Sequence, residues 1–385
     1  MKYLVLGAGM MGHAIAYDLA TTDPQCEVLL TDIDEEAARR VARAIGSNVF
    51  PARLDVHDGR ALESTMTGCD AVVSAVSYSV NLAVSQAAIR AGVHLCDLGG
   101  NNDVVDRQRT LHAEAAARGV TVVPNCGLAP GLINILAVTG SGECEELDAI
   151  HLRVGGLPQQ PRPPLDYQIV FSVEGLLNEY LEPSTVIHDG CRTQVESLTG
   201  VEDIRFPEPF GTLEAFSTSG GLSILPELFT GKVRTLDYKT IRYRGHSARF
   251  KMLLDLGFAS AEPIVVGDSV RTTRELFTEM LKRCLAGDSP DVVLARAEIV
   301  GRTQGRIRRI SYEFIDFHDT ATGLSAMMRT TGFPTAIVAQ MLASGVIRDR
   351  GVLPPEVCVP GQLMIAALAR RGITIRKDIN DQQGT

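Results

Sequence analysis

The sequence predicts an α/β protein in which a doubly wound parallel sheet is followed by a second domain of mixed strands. Three observations carry that prediction. Short apolar strands alternate with helical stretches from Tyr3 to about residue 124, the rhythm of parallel strands joined by crossover helices. The first strand runs directly into a glycine-rich turn. After about residue 126 the alternation gives way to irregular Pro/Gly-rich pieces, including Pro158 to Pro164.

The elements follow in order. Tyr3 to Leu6 is a branched apolar run suited to a central strand, and Met11 to Ala20 supplies helix formers with an apolar stripe. Between them stand Gly7, Gly9 and Gly12 in GxGxxG spacing. Gly7 permits the tight turn, Gly9 lets the backbone approach a pyrophosphate, and Gly12 brings the helix against the strand. Met10 and Met11 then offer their amides at a helix N-terminus, where an anion is favoured. The next strand, Glu27 to Leu30, leads to Asp32, twenty residues beyond Gly12, where a ribose 2′-hydroxyl needs a carboxylate acceptor. Spacing and position together predict a dinucleotide-binding Rossmann domain. Asp32 would repel a 2′-phosphate and Asp34 adds to that bias, so NAD is expected over NADP, with an offset from Arg39 or Arg40 left open.

Asn48 to Leu54 reads as the third strand, followed by Asp55, either a neighbour of the adenine or a cap for the helix Arg60 to Met66. Ala71 to Val76, His94 to Leu98 and Val120 to Pro124 read as three further strands, with helices at Leu82 to Ala91 and Asp106 to Arg118. Ligands of such sheets gather at the carboxyl ends of the strands, which puts Ser74, Ala75, Ser77, Tyr78, Asp97 and Gly99 near the nicotinamide half.

Composition narrows the function. The 385 residues carry 37 Lys+Arg against 46 Asp+Glu, a net charge of −9, without the basic surplus from which nucleic-acid binders draw affinity. No apolar run approaches the roughly 20 residues that cross a bilayer, and Met1 to Leu6 leads straight into the glycine turn without a leader, so a cytoplasmic setting is expected. The eight cysteines are scattered without a CxxC pair, as for reduced thiols, and no HExxH or other ligand spacing predicts a metal.

Several strings past the composition break resemble the saccharopine dehydrogenase family: Gly127-Leu128-Ala129-Pro130-Gly131, Gly155-Gly156-Leu157-Pro158, Pro164-Leu165-Asp166-Tyr167 and Thr240-Ile241-Arg242-Tyr243-Arg244-Gly245. The likeness runs along nearly the whole chain. Within the family it is greatest to bacterial L-lysine 6-dehydrogenases, through the strings at Asp97 to Gly100, Arg153 to Gly156 and Thr218 to Gly221. Ala129 and Asn134 depart from the Asp and His of saccharopine dehydrogenases proper, which argues against the larger substrate. The resemblance implies domains at 1–126, 127–328 and 329–385: a nucleotide domain, an α+β mixed-sheet domain for substrate binding and dimerisation, and a segment returning to the first. Pro334 at a first helical turn, the apolar run Ala336 to Leu342 and Gly345 past its end independently predict a packed helix in that segment. The tail Gln382 to Thr385 is expected to be loose.

Amine oxidation needs a base, hydroxyls and charge partners for the far end of the substrate. Tyr238 to Arg244 reads as a strand, so Arg242 and Arg244 would share a face and one would clamp an α-carboxylate, with Arg153 competing for that role and a salt bridge to the acidic segment Glu202 to Glu208 as the structural alternative. Lys239 and His246 are the acid/base candidates, with a cap or structural hydrogen bond as the alternative for His246. Tyr78 would orient nicotinamide or substrate, and Thr218, Ser219 and Gly220 would donate hydrogen bonds or form a turn. Asp97, Glu174 and Asp166 are carboxylates suited to substrate ammonium groups, while Cys126 reads as structural. The expectation is NAD-dependent deamination of a small basic amino acid, L-lysine at its 6-amino group, by a homodimer or larger homo-oligomer. The rivals are an imine reductase of the saccharopine or carboxynorspermidine type and a non-catalytic NAD sensor.

Overall fold

The computed structural model describes every residue except 171, 268, 288 and 383–385, and all side chains of the remainder except that of Val266. In chain order the strands are β1 (Lys2–Leu6), β2 (Glu27–Asp32), β3 (Val49–Arg53), β4 (Ala71–Ser74), β5 (His94–Asp97) and β6 (Thr121–Val123). There follow β7 (Glu146–Pro158), β8 (Ser184–His188), β9 (Cys191–Val195), β10 (Glu202–Phe206), β11 (Gly211–Ser217) and β12 (Thr235–Arg242). The last six are β13 (Pro263–Val266), β14 (Ser269–Thr272), β15 (Asp291–Thr303), β16 (Arg306–Phe317), β17 (Gly351–Val352) and β18 (Arg376–Gln382). The chain separates into two units: Met1–Glu143 with Met328–Ile375, and Cys144–Met327 with the closing segment that contains β18.

The first unit holds a seven-stranded sheet in the order β17-β6-β5-β4-β1-β2-β3, with every pair parallel. Chain order reverses at β1 and β4, so the turn after β1 sits at the topological switch point, where doubly wound sheets bind ligands. There the Gly7 amide donates to the Thr31 carbonyl (2.8 Å) and the Ala75 amide to the Leu6 carbonyl (2.8 Å). The helix Met10–Thr22 packs so closely that a Cβ on Gly12 would lie 1.8 Å from the Gly7 carbonyl oxygen. The single helix expected from Asp106 to Arg118 is two, Asn102–Arg109 and His112–Ala117. Asn101 caps the first by accepting from the Val104 amide (3.1 Å), and the Thr110 hydroxyl bonds the Arg107 carbonyl (2.7 Å) where that helix ends.

The second unit is built on a nine-stranded mixed sheet, β10-β11-β12-β7-β15-β16-β18, with β8 and β9 branching from β12. Only β12 and β7 pair in parallel. Two adjacent glycines in β7 permit tight packing: a Cβ on Gly155 would meet the Ile241 carbonyl oxygen at 2.5 Å, and one on Gly156 the Met327 side chain at 2.5 Å. Leu157, Leu213, Ile241, Val292 and Leu294 form one core, and Leu176, Tyr180, Phe216, Phe250 and Phe277 form another beneath the helix Val173–Leu181. That aromatic core is the floor of the polar cluster described below.

Three further expectations need correction. β12 stops at Arg242, because Gly245 (φ +86°) turns the chain into the helix His246–Asp255 and the buried Glu214 carboxylate accepts from the Gly245 and Ser247 amides at 2.7 Å each. The helix containing Pro334 spans Ala326–Ala343, with the proline in its interior. Its start is fixed earlier by the Asp291 carboxylate, which accepts from the Ala326 (2.7 Å) and Met327 (2.9 Å) amides. Gly345 (φ +70°) follows its end as the sequence indicates. Gln382 closes β18 against β16, while residues 383–385 of the expected loose tail lie outside the described residues.

Gly12→Ala should destabilise the first unit by roughly 3 kcal/mol, since the added methyl meets backbone that cannot yield. Denaturant unfolding followed by circular dichroism would measure it; an unchanged midpoint would show that the helix is free to shift.

Candidate functional site

Each unit carries one group of polar residues with chemistry to offer. In the first, the helix Met10–Thr22 begins at Gly9 with no side-chain cap and no acidic residue in its first turn, so no protein carboxylate competes for its leading amides. Met10 is exposed and Met11 half-buried there. A Cβ on Gly9 would meet nothing within 4 Å, whereas one on Gly7 (φ +96°) would strike the Ala75 carbonyl. At the end of β2, Asp32 accepts from the Ala8 amide (2.7 Å) and the Asp34 amide (2.9 Å), which ties the carboxylate to the glycine turn and leaves each oxygen a second lone pair. A bare glycine face, an uncapped helix start and a fixed carboxylate at this spacing fit a pyridine nucleotide. Arg39 pairs with Glu35 and Glu36, and Arg40 lies 4.0 Å from Asp34, so both arginines already face acidic neighbours.

The other candidates near this turn divide sharply. Ser77 is exposed and starts the short turn Tyr78–Val80, while the Tyr78 ring rests on the backbone of Gly100, 3.1 Å from where a Cβ would stand. Ser74 is buried and its hydroxyl donates to Asn81 (2.8 Å). Asp55 accepts from the His57 amide (2.9 Å) and contacts its ring (3.0 Å), and the helix Gly59–Met66 is capped by Asp58 instead. Asp97 is buried and accepts from Gln108 (2.7 Å) and the Gly99 amide (2.7 Å); burial pushes its carboxyl up and those bonds oppose the rise. It holds the end of β5 to its neighbours through these bonds. Cys126 is buried against the Val123 carbonyl (3.2 Å), and burial pushes its thiol up, which suits a structural role.

In the second unit, strand alternation decides which candidates meet. Side chains two apart share a face, so His151 and Arg153 on β7 and Asp237 and Lys239 on β12 lie on one side of the sheet, and Tyr238, Thr240 and Arg242 on the other. On the first face Arg153 bonds Glu202 (2.6 Å) and both oxygens of Asp237 (2.9 and 3.1 Å), Lys239 bonds Glu202 (2.6 Å), and His151 contacts Asp237 (2.7 Å). Burial alone would raise the Asp237 carboxyl; the bonds from His151 and Arg153 hold it well below the usual carboxylate range. Lys239 and Arg153 are therefore members of an ion network, with their donors engaged by Glu202 and Asp237. Arg244, past the end of the strand, is exposed and bonds Asp203 (2.5 and 3.2 Å), the acidic segment weighed as its alternative partner.

The opposite face gathers the second polar group. Tyr238 packs against the turn at Gly221, where a Cβ would come within 2.5 Å of its ring, and the Thr240 and Thr218 hydroxyls meet at 2.7 Å. Arg242 is 2% exposed; its Nε donates to the Tyr180 hydroxyl (3.0 Å), its Nη1 to the Ile241 carbonyl (2.9 Å), and its guanidinium lies 4.7 Å above the Tyr167 ring. Among the described residues no carboxylate forms an ion pair with it, and the bonds to Tyr180 and Ile241 use Nε and Nη1. The buried Tyr167 hydroxyl lies beside the guanidinium, close enough for Arg242 to draw on it, though the two are not aligned as a full hydrogen bond.

His246, wholly buried, contacts the Leu165 carbonyl through Nδ1 (2.9 Å) and the Tyr180 hydroxyl through Nε2 (3.1 Å). One assignment satisfies every group: Nδ1–H donates to Leu165, Nε2 accepts the Tyr180 O–H, and the Tyr180 oxygen accepts from Arg242. Burial, with the Arg242 charge adding to it, lowers the imidazole to about 3, so it stays neutral. His246 thus links the Leu165 carbonyl to Tyr180, which in turn bonds Arg242, the structural hydrogen-bonding role weighed as its alternative.

Ser219 is fixed by its amide on the Glu179 carbonyl (3.0 Å) and its hydroxyl on the Asn178 carbonyl (3.3 Å), with Gly220 (φ +88°) turning the chain beside it. Glu174 is exposed in the first turn of its helix, and Asp166 pairs with Arg249 (2.7 Å). The carboxylate near Arg242 is instead Glu179, half-buried, whose carboxyl is pushed by burial up to about 7 against the pull of Arg242. Sequence reasoning missed it, along with Tyr167, Tyr180 and Thr240. The stripe Val173, Leu176, Leu177 and Tyr180 identifies the buried side of the helix, but at 100° per residue Glu174 and Glu179 flank it symmetrically, so periodicity could not choose between them. Among the described residues no three His, Cys, Asp or Glu gather as a metal group, and no helix is long and apolar enough to cross a membrane.

Comparison with known proteins bears on both units. Residues 3–123 match the family model of the saccharopine dehydrogenase NADP binding domain, and residues 127–373 that of the saccharopine dehydrogenase C-terminal domain. The chain is 23% identical to mouse mitochondrial alpha-aminoadipic semialdehyde synthase over 92% of its own length and 45% of that protein, so it spans about half of that relative. It is 22% identical to the NADP(+), L-glutamate-forming saccharopine dehydrogenase of Saccharomyces cerevisiae, over 91% of this chain and 93% of that one. The fold matches the apo yeast saccharopine dehydrogenase structure at a TM-score of 0.81 and 20% identity, covering 98% and 99% of the two chains. It also matches Legionella pneumophila homospermidine synthase at 0.68 and 13% identity, covering 98% and 91%.

Two outcomes are expected. Gly9→Ala should leave the melting temperature unchanged, because its methyl meets only open space, yet weaken nucleotide binding at least about tenfold by calorimetry. Asp237→Asn should cost roughly 3 kcal/mol at pH 7 by leaving Arg153 underpaired. Because folding depresses the Asp237 carboxyl, its contribution is complete above the unfolded value of about 4 and is lost as pH falls through the folded one, so the variant should show a flatter acid dependence of stability.

Proposed function

The chain belongs to the saccharopine dehydrogenase family, and from that premise we propose that it is an NAD-dependent oxidoreductase that deaminates the 6-amino group of L-lysine. Lysine, NAD⁺ and water would give allysine, NADH, ammonium and a proton, and the aldehyde would cyclise to a piperideine carboxylate. The observation that carries this reading is the single buried guanidinium without a carboxylate. Only Arg153 and Arg242 are buried arginines among the described residues, and Arg153 is consumed by Glu202 and Asp237. One buried cation without an ionic partner suits a substrate with one carboxylate, since leaving it unpaired is costly. Saccharopine carries three.

Bound nucleotide supplies the hydride acceptor; the protein binds, orients and excludes water. Arg242 would take the α-carboxylate through Nη2, with the Tyr167 hydroxyl as a second donor. The paired Thr218 and Thr240 hydroxyls and Ser219 would order the remainder of the substrate, and the neutral His246 would keep Tyr180, and hence Arg242, in register. Asp32 and Asp34 support NAD, although the matched family model and the yeast relative are described by NADP. The reading includes a cytoplasmic setting, suggested by the scattered cysteines, and a homodimer, suggested by the family resemblance. Saccharopine oxidation is the second reading, favoured by the yeast relative that matches over nearly the full length of both chains.

With L-lysine and NAD, the protein should form NADH and ammonia in equal amounts; turnover of saccharopine with none of lysine would contradict the substrate assignment. Arg242→Gln should raise KM for lysine about 100-fold with a smaller change in kcat, the signature of a lost charged hydrogen bond made in ground and transition states alike. Asp32→Ser should narrow the preference for NAD over NADP about tenfold in kcat/KM.

A further inference from the structure

We propose that Glu179 and Arg242 together read the zwitterionic head of an α-amino acid, Arg242 taking its carboxylate and Glu179 its ammonium group. This rests on the reading of Arg242 as a carboxylate clamp but not on lysine being the substrate. Three observations carry it. The Glu179 side chain is half-buried, yet among the described residues it has no hydrogen bond or ion pair. Its position is nevertheless fixed, since its carbonyl accepts from the Ser219 amide (3.0 Å) and the Ser197 hydroxyl (3.0 Å), and the adjacent Tyr180 hydroxyl accepts from Arg242. Arg242 and Glu179 also feel each other electrostatically without forming an ion pair, which in a packed interior would otherwise quench both.

Two opposite charges held near each other but not in contact are complementary to a ligand whose own charges are adjacent and reversed, as they are on the α-carbon of an amino acid. A role for Glu179 at the reacting amine fits less well. In extended lysine the two nitrogens are separated by roughly 7.5 Å, so a carboxylate that shares the field of the carboxylate clamp faces the α-nitrogen. The Thr218 to Gly221 turn ties the Glu179 backbone to β12, because Ser219 bonds the Glu179 carbonyl and Thr218 meets Thr240, two residues before Arg242 on the same strand face. With its carboxyl pushed up to about 7, Glu179 is partly protonated near neutrality, and an arriving ammonium favours its ionised form. Binding an α-amino acid should therefore release protons, and affinity should fall as pH drops below 7.

The test pairs ligands that differ only in the α-amino group. In kcat/KM, E179Q should lose about 30-fold with L-lysine and under about threefold with 6-aminohexanoate, and the acid limb near pH 7 seen with lysine should vanish. Equal losses on both substrates would overturn the proposal, because they would put Glu179 at the reacting amine or in the fold. A second arm is independent of turnover: calorimetry with L-norleucine and hexanoate. The wild-type protein should bind L-norleucine at least about tenfold more tightly, E179Q should erase the difference, and E179D should keep part of it. Absent or equal binding of the two by the wild-type protein overturns the head-group pairing, whereas failure of lysine turnover alone, with the norleucine preference intact, overturns only the lysine assignment.

Discussion

A guanidinium buried among aromatic rings without a carboxylate partner is the constraint around which the second unit is organised. Burying a cation costs several kcal/mol unless other groups compensate for its lost hydration. Here Arg242 is compensated piecemeal, by the Tyr180 hydroxyl, one carbonyl and the face of Tyr167. That arrangement holds the cation in place without neutralising it. The aromatic floor of Phe216, Phe250 and Tyr180 and the buried His246 are the scaffold that makes such placement possible. A neutral imidazole suits this scaffold because it can accept the Tyr180 proton, which a second buried cation could not.

The sheet separates two uses of charge by the period of its strands. On one face Arg153, Lys239, Glu202, Asp237 and His151 satisfy one another, and their charges are spent on structure. On the other, Arg242 and Glu179 remain without ionic partners among the described residues. A one-residue shift in β12 would exchange these roles, so the register with β7 and the two glycines beside Ile241 and Met327 matter to chemistry as well as to packing. In the first unit the same economy appears at the glycine turn, where Asp32 is held by backbone amides with lone pairs to spare.

Much of the first unit is legible in the sequence because its signals are local. The glycine spacing, the alternating strands and the acidic residue after β2 each reflect a backbone requirement that few residue types satisfy. The second unit is less legible because its functional residues are selected by tertiary placement. Arg242 is legible as a clamp candidate, but its distinction from Arg244 depends on where β12 ends, and that is set by Glu214, distant in sequence. Lys239 and Arg153 look like candidates until their acidic partners on neighbouring strands are seen. Glu179 carries no local mark, since it flanks the apolar stripe of its helix as symmetrically as Glu174 does. Asp97 and Ser74 stand at strand ends, as ligand-binding residues do, yet Gln108 and Asn81 from the following helices consume them.

The account stands on the proposition that Arg242 is poised for a substrate carboxylate. A crystal structure of the protein with NADH and L-lysine tests it most directly. The account predicts a ligand carboxylate oxygen within about 3 Å of Arg242 Nη2, with the guanidinium still bonded to Tyr180. A ligand whose carboxylate lies elsewhere, with Arg242 untouched in its aromatic cage, would contradict it.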